Sequence, residues 1–424
     1  MIWLLTAAVA ALAFLGMPIF ALMGGLALWL FHAVQISSTA VIIELYRLAT
    51  LPALIAIPLF TFAGFALAES GAPRRLVNLA EAFFGWLPGG VAIAALLACA
   101  LFTAFTGASG VTIIALGGLI YPLLRRQKYP ENFSLGLVTT TGSLGLLFPP
   151  SLPIILYALV GKVSIDRLFA AAAVPGALLL LILGGYAMLT ASRHGVGRIP
   201  FTKAACAKAL REAIWELPLP FLIIGGIYGG KFTASEAAAI MSFYVVTVEV
   251  FVYRDLSWRA LPGVMRRSMM LVGAILIVLG AALGLTNYLI DAEVPARIFG
   301  FLSGHLSSRW AFLACLNAFL LVVNMVEIFS AIIIVVPIIV PVAAQYGIDP
   351  IHLGTLFLLN LEIGYMTPPL GLNLFLSSRR FDKPLPLLYR ATLPFWAVLL
   401  AALALVTYVP RLSLWLPDIL KLGS

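Results

Sequence analysis

The chain has 424 residues, of which 62% are hydrophobic and 10% are charged. Soluble domains carry about half apolar and about a quarter charged residues, and disordered chains carry fewer apolar ones, so both classes are excluded. The 26 Lys and Arg residues outnumber the 17 Asp and Glu residues; in so apolar a chain this excess sets orientation in a membrane, and we do not expect nucleic acid as a partner.

In chain order, the sequence predicts helical spans, and its length leaves room for about ten to twelve. Residues 1–43 carry no Lys, Arg, Asp or Glu. They predict one tilted span or two short ones rather than a cleavable signal, which needs a basic start. The charge-free runs predicted to span are 48–68, 132–161, 168–192, 268–290 and 391–410. Two weaker predicted spans, 213–230 and 234–253, carry charges near their edges.

Basic clusters predict the orientation of these spans, because Lys and Arg stay on the cytoplasmic side. The clusters at 74–75, 125–128 and 193–211 are therefore expected inside. The charge-free segment 82–124 must then leave the cytoplasm and return to it. Two interpretations stay open: two full spans joined by a tight turn at 107–110, or a re-entrant hairpin whose tip is buried in protein or lines a watery cavity.

A second segment, residues 310–345, also enters the membrane and returns, with Asn324–Glu327 near its middle. The connector that follows it, 345–350, has no Lys or Arg, whereas the corresponding connector 125–128 has three. The second hairpin is therefore expected to open to the opposite side of the membrane from the first.

The two halves also repeat a sequence motif. Residues 145–150 (GLLFPP) and 364–369 (GYMTPP) share the pattern G-x-x-x-P-P and lie 219 positions apart, as do Pro122 and Pro341. Proline interrupts a helix and exposes carbonyl oxygens in mid-membrane. Inverted repeats are typical of secondary transporters, whose substrate and ion sites lie between the repeats. The competing interpretation is two mechanical kinks that bind nothing.

The predicted fold is an all-α polytopic membrane protein with an inverted repeat, two re-entrant helical hairpins and two broken helices. Its predicted parts are residues 1–192, with hairpin tip 106–110 and helix break 142–151; residues 193–262, a basic cytoplasmic loop and scaffold helices; and residues 263–424, with hairpin tip 324–328 and helix break 362–371.

Each tip and the break of the same half are predicted to enclose one Na⁺ between oxygen atoms. Glu327 and Glu362 lie in apolar surroundings, where a carboxylate is costly unless it is paired, protonated or bound to a cation. A partner arginine or a place nearer the interface is the alternative for these acids. The first predicted sodium site comprises Thr106, Gly107, Ser109, Gly142, Gly145 and Pro149, and the second Glu327, Glu362, Gly364, Thr367 and Pro368. The predicted substrate contacts are Ser109, Thr139, Ser151, Asn324 and Asn373.

Short motifs spread over residues 57–373 match one family in combination. They are Ile57–Phe60, Ala63–Gly64, Ser70–Gly71, Leu87–Gly90, Gly107–Ser109, Gly142–Ser151, Glu236–Ala239, Gly347–Pro350 and Thr367–Asn373. The chain resembles the large membrane subunit of the tripartite ATP-independent periplasmic (TRAP) transporters, in the wider ion-transporter superfamily. It departs from the family pattern at Ala108, where serine is common, and at Glu327, where aspartate is common.

The resemblance implies sodium-coupled uptake of an organic acid, such as sialic acid or a C4-dicarboxylate, across the bacterial inner membrane. It implies an elevator mechanism and two partners, a periplasmic substrate-binding protein and a small four-helix membrane subunit. The membrane potential opposes entry of an anion by about 2.3 kcal/mol per charge per 100 mV. Two or more Na⁺ per cycle offset this cost for a dianion.

Three other functions are alternatives. A stand-alone sodium/anion symporter of the same superfamily is compatible with the sequence. An intramembrane serine protease is suggested by Gly107–Gly110 (GASG), but none of the four histidines lies in the middle of a long apolar run. A channel is disfavoured because channels need a continuous pore. The sequence lacks HExxH, CxxC and P-loop motifs, so we expect a transporter and not an enzyme.

Overall fold

The structure, a computed structural model, describes residues 11–12, 15–37, 39–306, 308–324 and 328–422. In these ranges the chain forms helices and no strand, as lipid requires, because a helix bonds its backbone groups internally. The α-helices are α1 Ile19–Ala33, α2 Thr39–Ala49, α3 Ala56–Glu69, α4 Ala72–Phe84, α5 Gly90–Thr106, α6 Ser109–Ala115, α7 Gly117–Arg126, α8 Glu131–Leu144, α9 Leu152–Gly161, α10 Ile165–Arg193, α11 Lys203–Glu212, α12 Pro218–Tyr228, α13 Ala234–Thr247, α14 Leu261–Asp291, α15 Val294–Ser303, α16 Arg309–Val323, α17 Ile328–Gln345, α18 Pro350–Gly364, α19 Leu372–Phe381, α20 Leu385–Tyr408 and α21 Arg411–Ile419.

Most of the predicted spans are present as long helices. The described segments that are individually long and apolar enough to cross a membrane are Pro52–Glu69, Ile165–Arg193, Ala234–Val252, Trp258–Asp291, Ile328–Gln345 and Leu385–Tyr408. The predicted span 132–161, in which a break at 142–151 was also predicted, consists of two helical pieces, bent by 45° where Pro149 and Pro150 interrupt the helix. The weaker predicted span 213–230 holds only the 11-residue helix α12, which is shorter than a bilayer requires.

Two sets of helices share one arrangement. In the first set, α5 and α6–α7 form a hairpin, α8 and α9 form a broken helix, and α10 follows. In the second set, α16 and α17 form the hairpin, α18 and α19 the broken helix, and α20 follows. The two sets pack against each other in a reciprocal way. Helix α6 packs on α19, and α17 packs on α9. Helix α20 lies along α8, and α10 lies along α18. This reciprocal packing is the pattern that a pseudo-two-fold relation between the halves produces.

The helices outside the repeats form a frame beside them. Helix α14 runs along α1, α2 and α3, and α13 packs on α3. Arg267 of α14 donates two hydrogen bonds to the Glu69 carboxylate of α3, with Nε 2.8 Å from Oε1. The Ser242 hydroxyl of α13 donates to the carbonyl oxygen of Leu59 at 2.8 Å. The predicted boundary at residue 262 falls inside α14, which begins at Leu261.

One arginine connects α4, through ion pairs, to the segment between α11 and α14. Arg75 donates to Glu216, Glu249 and Asp255, and its guanidinium lies 3.7 Å from the centre of the Tyr253 ring. Glu216 and Glu249 are buried. Although burial opposes it, the hydrogen bond to Asp255 and the charges of Glu249 and Glu216 raise the pKa of Arg75. The arginine is therefore the counter-ion that allows two carboxylates to stay buried.

Glycine allows each hairpin to approach its broken helix. A Cβ on Gly145 would lie 2.2 Å from the carbonyl oxygen of Ala100 and 2.5 Å from the nitrogen of Ala104. A Cβ on Gly364 would lie 2.7 Å from the carbonyl oxygen of Asn324. These distances are below those that real Cβ atoms adopt, so the first glycine of each G-x-x-x-P-P motif is needed for the contact.

We expect Gly145→Ala to lower the free energy of unfolding by about 1–3 kcal/mol, because the added methyl group overpacks the contact between α5 and the break. Thermal unfolding of the purified protein measures the change. Gly185→Ala, on α10, is the control, because its added Cβ meets no atom within 4 Å. An equal effect of the two substitutions would contradict the role given to Gly145.

We expect Arg75→Met to destabilise the protein by about 3–5 kcal/mol, because the substitution leaves two buried carboxylates without a counter-ion. Arg74→Met is the matched control, because Arg74 is exposed, and surface substitutions change stability by about 0.5 kcal/mol or less. Thermal unfolding of both variants checks the expectation. Equal melting temperatures for the two would show that the Arg75 contacts contribute no stability.

Candidate functional site

The first hairpin tip lies inside the protein. Helix α5 ends at Thr106, Gly107 adopts a left-handed conformation with φ of 64°, and α6 begins at Ser109. A Cβ on Gly107 would lie 2.6 Å from the side chain of Leu152, the first residue of α9. Conformation and space therefore both require glycine at this position. The tip meets the broken helix of its own half, and Thr106, Gly107 and Ser109 are buried.

A threonine absent from the predicted site joins the parts of this tip. The Thr103 hydroxyl oxygen lies 2.8 Å from the Thr112 hydroxyl and 3.0 Å from the carbonyl oxygen of Gly142. Both threonines are fully buried. The hydroxyl thus links α5, α6 and the end of α8 at the place predicted for the first sodium ion. The available signal was a threonine one turn before a glycine tip in an apolar helix.

The first break leaves fewer bare carbonyl groups than we expected. The carbonyl oxygen of Gly145 accepts from the Phe148 nitrogen at 3.0 Å, and that of Phe148 accepts from the Ser151 nitrogen at 3.1 Å. A 3₁₀ turn at Gly145–Leu147 makes this pairing possible. Each such oxygen keeps a second lone pair for a cation. The Ser151 hydroxyl is buried and makes no hydrogen bond within the described part of the chain.

The described start of the second tip also lies against the break of its own half. Asn324 follows the last residue of α16, is 1% exposed, and packs its backbone on Gly364. Neither atom of its amide side chain has a hydrogen-bond partner among the described residues. An unpartnered buried amide is a candidate ligand. Glu327 lies outside the described residues, so its placement in the second sodium site stays a prediction.

The second break is held by its own backbone and by a tryptophan. The Thr367 hydroxyl lies 2.7 Å from the carbonyl oxygen of Ile363 and accepts from the indole Nε1 of Trp396 at 3.0 Å. The nitrogen of Thr367, just before Pro368, donates to the carbonyl oxygen of Gly364 at 3.1 Å. Trp396, on α20, was not among the predicted site residues. It orients the Thr367 hydroxyl and occupies one of its acceptor positions.

Polar side chains of the two repeats meet between the breaks. The Asn373 amide nitrogen donates to the carbonyl oxygen of Thr139 at 3.1 Å and to the Ser143 hydroxyl at 3.0 Å. The Thr139 hydroxyl lies 2.9 Å from that of Ser377. Of the five predicted substrate residues, the structure brings Thr139 and Asn373 into contact. It places Ser109 and Asn324 at the hairpin tips and Ser151 at the first break.

Glu362 is fully buried just before the second break. Ser143 lies beside its carboxyl group, but neither carboxyl oxygen completes a regular hydrogen bond within the described residues. Among the side chains that the structure describes, no Lys or Arg is buried. The partner arginine that we considered for Glu362 is therefore not found there.

An apolar crevice beside the first break does not suit an organic acid. It has a volume of about 500 Å³ and lies between α4, α5, α10, the α11–α12 segment and the first break. An organic acid needs polar partners that this lining does not offer. Its lining residues are Leu76, Leu79, Ala80, Phe83, Phe84, Leu97, Ala98, Ala100, Leu101, Ala104, Phe148, Pro149, Leu180, Leu210, Leu217, Pro220 and Ile224.

The histidines do not form a catalytic pair with Ser109. His352 contacts the Ser413 hydroxyl at 3.1 Å, and the rings of His194 and His305 contact carbonyl oxygens of their own helices. A serine nucleophile needs a base within hydrogen-bond reach. In the described ranges no cluster of three His, Cys, Asp or Glu residues suits a metal ion either.

Comparisons with known proteins agree with this geometry. A model of the family described as "Tripartite ATP-independent periplasmic transporter, DctM component" matches residues 6–412. The C4-dicarboxylate TRAP transporter large permease protein DctM of Pseudomonas aeruginosa is 38% identical over 94% of this chain and 93% of that protein. The protein of the same description from Rhodobacter capsulatus is 36% identical over 97% of each chain.

A longer relative is also similar. The isethionate TRAP transporter permease protein DctMQ of Oleidesulfovibrio alaskensis is 34% identical over 85% of this chain and 58% of that protein. Among solved structures, the YdaH transporter of Alcanivorax borkumensis aligns with a TM-score of 0.61 over 87% of each chain at 14% identity, which shows a shared fold. The chain belongs to the DctM family: it is a multi-pass membrane protein, the large permease component of a TRAP transporter, and not an enzyme.

Proposed function

We propose that the protein carries an organic acid inward across the bacterial inner membrane, coupled to two or more Na⁺, by an elevator movement of the repeats against the frame helices. The observation that carries the proposal is that the first hairpin tip, and Asn324 at the start of the second, each lie on the helix break of their own half, inside a DctM-family chain. In inverted-repeat transporters such breaks hold substrate and coupling ions near the midplane.

The chemistry of the interior supports an anionic substrate held by neutral groups. Helices α9 and α19 begin at the two breaks, and the positive ends of their dipoles suit a carboxylate. Asn373, in the first turn of α19, and Thr139, which contacts α19, add amide and hydroxyl groups. C4-dicarboxylates are the first candidates, because they are the substrates named for the relatives of 38% and 36% identity. Sialic acid is a further candidate, being named for a relative of 32% identity.

We also propose two protein partners. The family description names a tripartite system, and the longer DctMQ relative has sequence beyond the part that this chain matches. The proposed partners are a small four-helix membrane subunit and a periplasmic binding protein that delivers the substrate. A stand-alone symporter of the same superfamily would need neither partner.

Uptake is expected to require both sodium and the binding protein. The large and small subunits are reconstituted in liposomes, and uptake of radiolabelled succinate is measured with the binding protein outside. An inward Na⁺ gradient should drive uptake, and choline in place of Na⁺ should reduce it to background. Equal uptake in sodium-free buffer without any pH dependence would overturn sodium coupling. Equal uptake without the binding protein would favour the stand-alone symporter.

Thr103→Val is expected to lower the apparent affinity of the transporter for sodium at the first tip. Valine keeps the shape of the side chain but removes the hydroxyl that contacts Thr112 and Gly142. A lost buried hydrogen bond of about 1.4 kcal/mol corresponds to about tenfold in affinity. The sodium concentration for half-maximal uptake should therefore rise about tenfold.

The matched control is Thr392→Val on α20, because Thr392 is equally buried but its hydroxyl contacts carbonyl oxygens of its own helix. This variant should keep the sodium dependence of the unmodified protein. If Thr103→Val also keeps it, the Thr103 hydroxyl is not part of the sodium site.

A further inference from the structure

Two equivalent residues of the repeats meet in the middle of the molecule. Ser143 lies two residues before Gly145, and Glu362 lies two residues before Gly364, so they occupy the same position of the repeated motif. Both side chains are fully buried, and Ser143 is next to the Glu362 carboxyl group. Equivalent positions of two halves can touch only near the axis that relates them. The pair therefore marks the pseudo-two-fold axis, and the two repeats differ there by one negative charge.

The carboxyl group of Glu362 has no compensating charge in the described interior. Neither oxygen makes a regular hydrogen bond with a described residue, and no described Lys or Arg side chain is buried. An isolated ionised carboxylate is too costly in such surroundings. Glu362 can therefore be ionised only while a cation lies against it.

Other oxygen-bearing groups lie around Ser143. The Ser143 hydroxyl oxygen is 3.0 Å from the Asn373 amide nitrogen and 3.4 Å from the carbonyl oxygen of Thr140. The Asn373 amide oxygen is buried and has no hydrogen-bond partner within the described ranges. Carboxylate, amide and hydroxyl oxygens are the ligands that hard cations prefer. The cluster joins α8 of the first repeat to α18 and α19 of the second.

We propose that Glu362, with Ser143 and Asn373, forms a site for one coupling Na⁺ on the axis between the repeats, separate from the first hairpin tip. The inference rests on the sodium coupling proposed above and identifies one of its ions. A cation there bridges the two halves of the transporter, because its ligands come from both broken helices. Release of the cation leaves an uncompensated charge on the Glu362 carboxylate. Movement of the empty carrier is therefore energetically unfavourable while Glu362 is ionised.

The test compares Glu362→Gln with the unmodified protein, in the complex with the small subunit and the binding protein. Glutamine keeps the size of the side chain and removes its charge. Sodium titrations of uptake should still show cooperative activation at the remaining sites, but the Hill coefficient, which is limited by the number of sites, should fall by about one. Thr392→Val serves again as the buried control and should leave the coefficient unchanged.

A second measurement does not depend on transport. In choline buffer, Glu362→Gln should melt at the same temperature as the unmodified protein or higher, because it buries no ionisable group. Added NaCl should stabilise the variant less than the unmodified protein, since a ligand stabilises only through the sites it binds. Glu362→Asp, which keeps the charge but shortens its reach, should bind with lower affinity and the unmodified Hill coefficient.

The possible failures separate the two proposals. An unmodified protein that shows no sodium dependence overturns the proposed function. A sodium-dependent protein whose Glu362→Gln variant keeps the same Hill coefficient and the same stabilisation by NaCl overturns only the axis site. A variant that loses pH dependence while its sodium response is unchanged also overturns it, because the carboxyl group then carries a proton and not Na⁺.

Discussion

The fold depends on the cost of an unpaired backbone group in hydrocarbon. A helix that stops halfway through a membrane leaves N–H and C=O groups without partners, and lipid offers none. The protein meets this constraint at both breaks by internal turns and by a hairpin tip that lies directly on the interrupted helix. The close approach is possible because Gly145 and Gly364 carry no side chain. A polar interior therefore arises only where two chain segments cover each other.

The prolines and glycines of the breaks were readable in the sequence because their effect is local. Proline interrupts a helix wherever it occurs, and a repeated G-x-x-x-P-P pattern predicts two interruptions. The return of the first hairpin was readable for a similar reason, because the charge-free segment 82–124 lies between two basic clusters, but the sequence left two full spans open as an alternative. Within the apolar run 132–161, where the prolines predicted a break at 142–151, the structure has two helical pieces bent by 45° at Pro149 and Pro150.

Contacts between distant parts of the chain were not readable. Nothing near Trp396 indicates that its indole donates to Thr367, and nothing near Glu362 indicates that Ser143 lies beside it. Both contacts depend on how the two repeats pack against each other, which the pattern of one segment does not specify. The two adjacent arginines illustrate the same limit. In the sequence Arg74 and Arg75 are equal markers of the cytoplasmic side, yet Arg75 is neutralised by three carboxylates and Arg74 is exposed.

The apolar crevice beside the first break has a consequence for the leakage of ions. Along that wall, side chains such as Phe148, Leu101 and Phe83 give a departing ion nothing to replace its ligands. In the function proposed above, an ion that left the first break on this side would meet a barrier like that of bare hydrocarbon. The apolar lining would therefore oppose a leak of ions towards the frame helices, and with it a loss of membrane voltage through that side of the protein.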